Sequence, residues 1–186
     1  MQKSERLIVC IVGMPGSGKS LATKTIKNKF NAFVVSSGDI IRDEIRRRGL
    51  KYTPESDMKI SHWFHIKGRE RLIAARTCEK AKKSKKKIIV LEGFRSPNEV
   101  AQLKKLLGQK PAVIAIIAGF KTRYARLAGR KRFAVEQKYL IARDKLELSH
   151  GLGQLIKKAD YKIRNNGTRA ELERKIVKLI KSLKTA

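Results

Sequence analysis

Apolar positions along the chain recur with two periods. Runs at Leu7–Val12, Ala32–Ser36, Ile88–Leu91 and Ala112–Ala118 have the length and β-branched character of strands, and Tyr161–Arg164 reads as a short last one. Runs that are apolar at nearly every position, not at alternate ones, fit a parallel sheet covered on both faces. Between them the spacing is helical. Helices are predicted from Ser20 to about Phe30, from Ile40 to about Arg48, from Thr53 to about Ala81, after Ser96, from about Thr122 to Leu148 with a break near Lys131, and after Thr168. The last carries one apolar stripe of Leu172, Ile176, Leu179, Ile180 and Leu183, the signature of a helix with one buried face.

The punctuation agrees with these periods. Ser37-Gly38-Asp39 opens the second helix and Gly49 stops it. Thr53 and Pro54 form a cap and first helical position, followed by Glu55 and Asp57, whose charge suits the positive end of the helix dipole. Ser96-Pro97-Asn98-Glu99 and Thr168-Arg169-Ala170-Glu171 are capping boxes. Lys82–Lys87 reads as a loop, and Gly151 and Gly153 interrupt the helical pattern. Strand alternates with helix without internal repeats. The economical architecture is one three-layer α/β/α domain over residues 1–186, on a parallel sheet of about five strands with right-handed crossovers. Its ligand belongs at the carboxyl ends of the strands.

The chemistry begins at the end of the first strand. Gly13-Met14-Pro15-Gly16-Ser17-Gly18-Lys19-Ser20 matches the phosphate-loop pattern G-x-x-x-x-G-K-[ST] at each specified position, and it has the strand before and helix after that the motif requires. Glycines let backbone N–H groups converge on an anion, and the helix below adds its positive end. Lys19 is then placed to reach the β- and γ-phosphates of a nucleotide such as ATP, and Ser20 to ligate Mg²⁺. Two further clusters follow strand ends. Ser36-Ser37-Gly38-Asp39-Ile40-Ile41-Arg42 sets Asp39 and Arg42 on one helical face. Glu92-Gly93-Phe94-Arg95 offers an acid to order a water of Mg²⁺, a glycine for close substrate approach and a guanidinium fork for a phosphate.

Composition changes the picture in one respect. Among 186 residues, 45 basic against 16 acidic side chains give a net charge of +29. Such a chain attracts polyanions with a strong salt dependence. RNA or ribosome association and an ordinary solvated basic surface both fit. The two cysteines, Cys10 in a strand and Cys78 in a helix, form no pairing pattern, which suits a reducing cytoplasm. No apolar run approaches the ~20 residues of a membrane span, and the first strand follows the N-terminus too closely for a signal peptide. His62 and His65 lie three apart with no third ligand at zinc-site spacing. Trp63 and Phe64 beside them read as core or as the wall of an acceptor pocket.

Taken together, the three clusters resemble the nucleoside monophosphate kinases, adenylate kinase above all. That family joins a G-x-P-G-x-G-K loop to S-x-G-D-x-x-R and D-G-F-P-R segments. Two departures stand out: Glu92 replaces the usual aspartate, and the proline of the third segment is missing. The resemblance implies that Ser37, Asp39, Arg42, Gly93 and Arg95 bind a phosphorylated acceptor. Ser20, Glu92 and Asp39 would then organise the metal and its waters. Residues 37–83 correspond to an acceptor-side helical insert. Residues 122–148 correspond to a short lid, in which Arg126, Arg130 and Arg143 would neutralise the transferring group.

Ala159-Asp160-Tyr161-Lys162-Ile163-Arg164-Asn165-Asn166-Gly167 is similar to the A-D-x-x-I-x-N-x-G stretch of dephospho-coenzyme A kinase, which makes Asn166 and Gly167 candidates to contact the adenine of ATP. End to end, the pattern resembles an archaeal family of adenylate-kinase-like P-loop proteins. The implied activity is Mg-ATP-dependent phosphoryl transfer, with AMP favoured as acceptor. Dephospho-coenzyme A kinase-like transfer, an RNA- or ribosome-associated ATPase and a nucleotide-binding regulator without turnover are the alternatives.

Overall fold

A computed structural model describes residues 6–66, 68–129 and 136–185. Five strands, β1 (Leu7–Val12), β2 (Phe33–Ser36), β3 (Ile88–Glu92), β4 (Ala112–Ile117) and β5 (Tyr161–Arg164), form one sheet in the order β2-β3-β1-β4-β5. All the pairings are parallel, and β1 lies at the centre with Cys10 opposite both Leu91 and Val113. The expected three-layer α/β/α architecture is therefore present. Alternate residues of each central strand serve different layers. Cys10, Leu91 and Val113 face a core built with α2 (Ser37–Arg47), α3 (Pro54–His65), α4 (Glu70–Lys83), α5 (Pro97–Leu107) and α8 (Leu152–Lys157). Val9, Val90 and Ile114 face a second core with α1 (Lys19–Phe30) and α9 (Arg169–Thr185). This double burial is why the strands read as continuous apolar runs.

The structure departs from the sequence reading in three places. The single helix expected from Thr53 to Ala81 is two, α3 and α4. Ile66 leaves helical geometry at ψ 151°, and Gly68 follows at φ 89°, a left-handed conformation that is cheap only for glycine. The break lets Phe64 of α3 and Ile73 of α4 enter the same core. Second, Gly151 interrupts the helical pattern as expected, just after a helix that ends at Ser149, whereas Gly153 does not and lies within α8. Gly151 caps α8 at φ 97°, and Leu152 and Leu155 of that helix are buried. Their burial, worth ~1.5–3 kcal/mol each, outweighs the ~1 kcal/mol helix penalty of Gly153. Third, Thr168 forms half of its expected box, accepting from the Glu171 amide at 3.2 Å. The box at Ser96 is complete.

Beyond β4 lie α6 (Phe120–Ala128) and α7 (Gln137–Ser149). No helix among the described residues is long and apolar enough to cross a membrane.

Candidate active site

The loop after β1 passes into α1 at Gly18, whose φ of 108° is the left-handed turn the motif needs. A Cβ there would stand 2.3 Å from Asn165 Nδ2. No side chain caps the N-terminal amides of α1, and its first turn holds no acid, so these donors and the helix dipole are directed to an anion from outside the helix. Ser17 Oγ is buried without a hydrogen-bond partner. Lys19 Nζ donates to Gly13 O at 2.7 Å and Met14 O at 3.1 Å. Burial lowers its pKa to about 8, opposed in part by Glu147. The groups present therefore fit a nucleotide's phosphates.

A cavity of about 940 Å³ opens in front of this loop and joins it to the ends of β2 and β3. Gly13, Pro15, Gly16, Lys19 and Ser20 line one end; Ser37, Arg42, Gly93 and Arg95 line the other; Glu92 and Arg143 lie along it. Thr23 Oγ1, one helical turn beyond Lys19, donates to Glu92 Oε2 at 2.7 Å and so orients that carboxylate. Ser20 and Glu92 offer oxygen ligands of the kind Mg²⁺ takes while keeping several waters. Asp39 does not join them: its carboxylate takes Arg42 at 2.6 Å on the exposed side of α2, and it is absent from the cavity wall. Gly93, at φ 94°, lies so close to Ser37 that a Cβ would come within 1.8 Å of Ser37 Oγ. That contact fits the end of β3 against the start of α2.

The two arginines at the far end differ. Arg42 is 44% exposed and bonds Asp39, with Tyr52 as a further hydrogen-bonding neighbour. Arg95 is 12% exposed and commits four of its five N–H groups. Its Nε and Nη2 meet the Glu147 carboxylate at 2.5 and 3.3 Å, while Nη1 contacts His65 Nε2 and Gly93 O. Burial pushes Glu147 upward, but Arg95, Arg143 and Lys19 outweigh it and hold the carboxyl below its ordinary value.

Of the expected lid arginines, the two within the described residues line different hollows. α6 ends at Ala128, and Arg130 lies outside the described residues. Arg143 lines the main cavity, 3.8 Å from Glu147. Arg126 lines a smaller hollow of about 450 Å³ that shares Gly16 and Ser20 with the main cavity and includes Lys24, Asn165 and Arg169, and it donates to Gly167 O at 3.1 Å. Asn166 accepts from the Gly119 amide at 3.0 Å.

Several side chains escaped the sequence reading. Asn165 Nδ2 donates to Ser17 O at 2.7 Å and straps the phosphate loop to the end of β5. Arg123 Nη1 donates to Pro15 O at 3.1 Å, and its fork pairs with Asp144 at 2.9 and 2.6 Å. His65, Glu99 and Glu147 sit behind the far arginine. The asparagine at the end of the A-D-x-x-I-x-N-x-G stretch was the one available signal; the others depend on contacts distant in sequence.

Fold and site define a nucleotide-binding P-loop protein of the kinase-like class. A family model described as an AAA domain matches residues 12–138. A UPF0200 protein of Hyperthermus butylicus is 34% identical over 98% of each chain, and one of Pyrococcus horikoshii is 36% identical over 95% of this chain and 97% of its own. The chain belongs to the archaeal UPF0200 family, within the P-loop domains of the AAA description. Among solved structures, shikimate kinase from Acinetobacter baumannii in complex with shikimate shares the fold with a TM-score of 0.54 and 20% identity, over 98% of this chain and 97% of that one. TT1252 from Thermus thermophilus does so at 0.60 and 18%, over 96% and 98%.

Proposed function

We propose that the protein is a Mg-ATP-dependent phosphotransferase of the nucleoside monophosphate kinase type, with AMP as its favoured acceptor. The observation that carries this reading is the cavity itself. A second set of cationic groups, Arg42 and Arg95, lines the same open cavity as the phosphate loop, which supports a second phosphate site there. A plain ATPase attacks with water and has no use for a second phosphate site. A monophosphate kinase needs one, because the acceptor's own charge must be neutralised before its oxygen can approach the γ-phosphate in line. In this reading the loop amides and Lys19 hold the donor phosphates, and Ser20 and Glu92 hold Mg²⁺ and its waters. Bound Mg²⁺ supplies charge neutralisation between donor and acceptor. Arg143 faces the transferring group, Arg42 takes the acceptor phosphate first, and Asn165 to Gly167 with Arg126 form the wall beside the donor base.

The test is phosphoryl transfer from ATP to AMP, the other nucleoside monophosphates, dephospho-coenzyme A and water, with and without RNA. ADP formation from AMP is expected. Transfer to dephospho-coenzyme A alone would replace the acceptor. Hydrolysis alone, stimulated by RNA and indifferent to Arg42→Ala, would overturn the kinase reading.

A second reading has its own observation. Lys86 Nζ bonds Asn31 Oδ1 at 2.8 Å, and Lys184 sits over the Phe30 ring at 6.0 Å. The loop before β3, the end of α1 with Lys27 and Lys29, and the end of α9 thus form one basic patch at the amino ends of the strands, away from the cavity. We propose that this patch binds RNA. Its affinity should then fall log-linearly with salt, and charge reversal at Lys85, Lys86 and Lys87 should reduce the slope.

A further inference from the structure

Behind Arg95 lies a chain of buried groups that phosphoryl transfer does not itself require. His65, at the end of α3, is 3% exposed, and Glu99, in the first turn of α5, has no exposed surface. His65 Nδ1 meets Glu99 Oε1 at 2.5 Å, and His65 Nε2 contacts Arg95 Nη1. The other carboxylate oxygen, Glu99 Oε2, accepts from the Arg95 and Ser96 amides at 2.6 and 3.4 Å. The donors fix the tautomer. A guanidinium has N–H groups only, so His65 Nε2 must be the acceptor, and the ring proton therefore sits on Nδ1 and is donated to Glu99. Glu99 thus holds Arg95 twice, through the backbone amide and through the histidine on its side chain.

We propose that His65 and Glu99 are positioning residues that lock the Nη1 edge of Arg95 and so aim its Nε and Nη2 edge at the acceptor phosphate. That edge now holds Glu147, and the acceptor phosphate takes it in exchange. A long arginine without this lock has many rotamers, and the geometric match of its fork to a phosphate is lost with them. The capping box at Ser96 gives Glu99 a structural task in any case. The histidine is what that task leaves unexplained, because a cap needs no third partner. The inference rests on the kinase reading for its acceptor, and on contacts within the chain for its mechanism.

Four proteins test it: the parent, His65→Leu, His65→Gln and Glu99→Gln. Leucine fills the site without an acceptor, whereas the glutamine oxygen can stand near the place of Nε2. His65→Leu is expected to raise the KM for AMP about tenfold or more, equivalent to about 1.4 kcal/mol, with kcat and the KM for ATP within about twofold. His65→Gln is expected to restore most of the loss. Glu99→Gln keeps an oxygen for the two amides but presents an NH₂ group to the ring. The proton should then move to Nε2 and face Arg95, giving the His65→Leu phenotype in a folded protein. Nitrogen-resolved NMR of the imidazole reads the tautomer directly, as Nδ1–H in the parent and Nε2–H in Glu99→Gln. Equal loss for AMP and ATP, no change in either, or Nε2–H in the parent would overturn the proposal. If His65→Leu does not fold, Glu99→Gln carries both readouts. If the parent transfers nothing to AMP, the kinase reading falls, and the tautomer still decides whether the lock exists.

Discussion

At one end of the cavity the anion-facing groups come from a single octapeptide, residues 13–20, and most are backbone amides. At the other end they are side chains, Arg42 on α2 and Arg95 on the loop after β3, the latter held by partners on α3 and α7. The difference separates two ways of building a charged site. Amides at a helix start keep their direction whatever side chains surround them, so long as the glycines allow the turn. Side-chain cations keep theirs only through partners, and each partner is another place to fail. Arg95 is held by a glutamate 52 positions away and a histidine 30 positions away. The first end leans on its surroundings only through straps to its backbone, such as Asn165 and Arg123, whereas at the second each cation depends on its own partners.

The largest expected effect lies at the loop. Lys19→Ala should reduce phosphoryl transfer by about 10²–10³-fold or more, the size expected when a preorganised charge is removed from a transferring phosphate. Stability should not fall with it. Burial holds the Lys19 ammonium below its ordinary pKa, so at neutral pH the folded protein bears a desolvated charge there, and relief of that cost offsets the loss of its bonds to Gly13 O and Met14 O. A thermal midpoint equal to or above that of the parent, together with lost turnover, is the expected pair of results. Turnover like the parent's would remove the donor assignment.

At the far end the two arginines should part company. Arg42→Ala should weaken AMP binding by ~2–4 kcal/mol, if the contact is charge-assisted and desolvated. It should leave ATP binding and stability unchanged, since Arg42 is 44% exposed. Arg95→Ala should in addition lose stability, by ~3–5 kcal/mol, because it leaves the Glu147 carboxylate buried beside a missing partner. Calorimetric titration with AMP and urea unfolding of both variants distinguish them. Equal stability loss would mean that the far end is not organised by burial.

The strap between the ends of β5 and β1 comes next. Asn165→Ala removes the donor to Ser17 O and leaves a buried carbonyl without its partner, a cost of ~1–3 kcal/mol. ATP affinity should fall with stability, and AMP affinity should not. Equilibrium binding of each nucleotide reads the split.

These contrasts match what the sequence made legible. The strands, the phosphate loop and the clusters after β2 and β3 could be read because each is a local pattern, and local patterns decide backbone geometry. Arg42 and Arg95 were readable as arginines at strand ends, but the burial of one and exposure of the other were not. Arg123 looked like any basic residue on a helix, yet it braces Pro15 through a fork that Asp144 holds. The break between α3 and α4 was missed because apolar spacing continued across Gly68. Arg126 and Arg143 looked alike in sequence and line different hollows, a difference that depends on tertiary packing and not on periodicity.

The smallest expected effect tests the buried pair behind Arg95 without any ligand. Burial and the charge of Arg95 lower the His65 pKa well below 6.5. The unfolded chain therefore takes up a proton near pH 6.5 that the folded protein refuses, and this histidine alone makes stability fall as pH drops through that value. Glu99 has the opposite sign. Burial raises its pKa from 4.5 to about 7, against the pull of the Arg95 amide and charge. Between those values the folded protein keeps a proton that the unfolded chain has released, so Glu99 alone makes stability fall as pH rises from 4.5 to 7. In the parent the two contributions oppose each other between about pH 5 and 7. His65→Gln leaves the carboxyl unopposed, and its stability relative to the parent should decline as pH rises across that window. Glu99→Gln leaves the histidine unopposed, and its relative stability should climb. Each slope is bounded at ~1.4 kcal/mol per pH unit, the free energy of one proton. Subtracting the parent's urea curve removes the distant carboxylates, and making all three curves again in a His150→Gln background removes the histidine that Glu99 and His65 both feel. Slopes of opposite sign are the expected result, and parallel curves would mean that His65 and Glu99 do not share the buried site that holds Arg95.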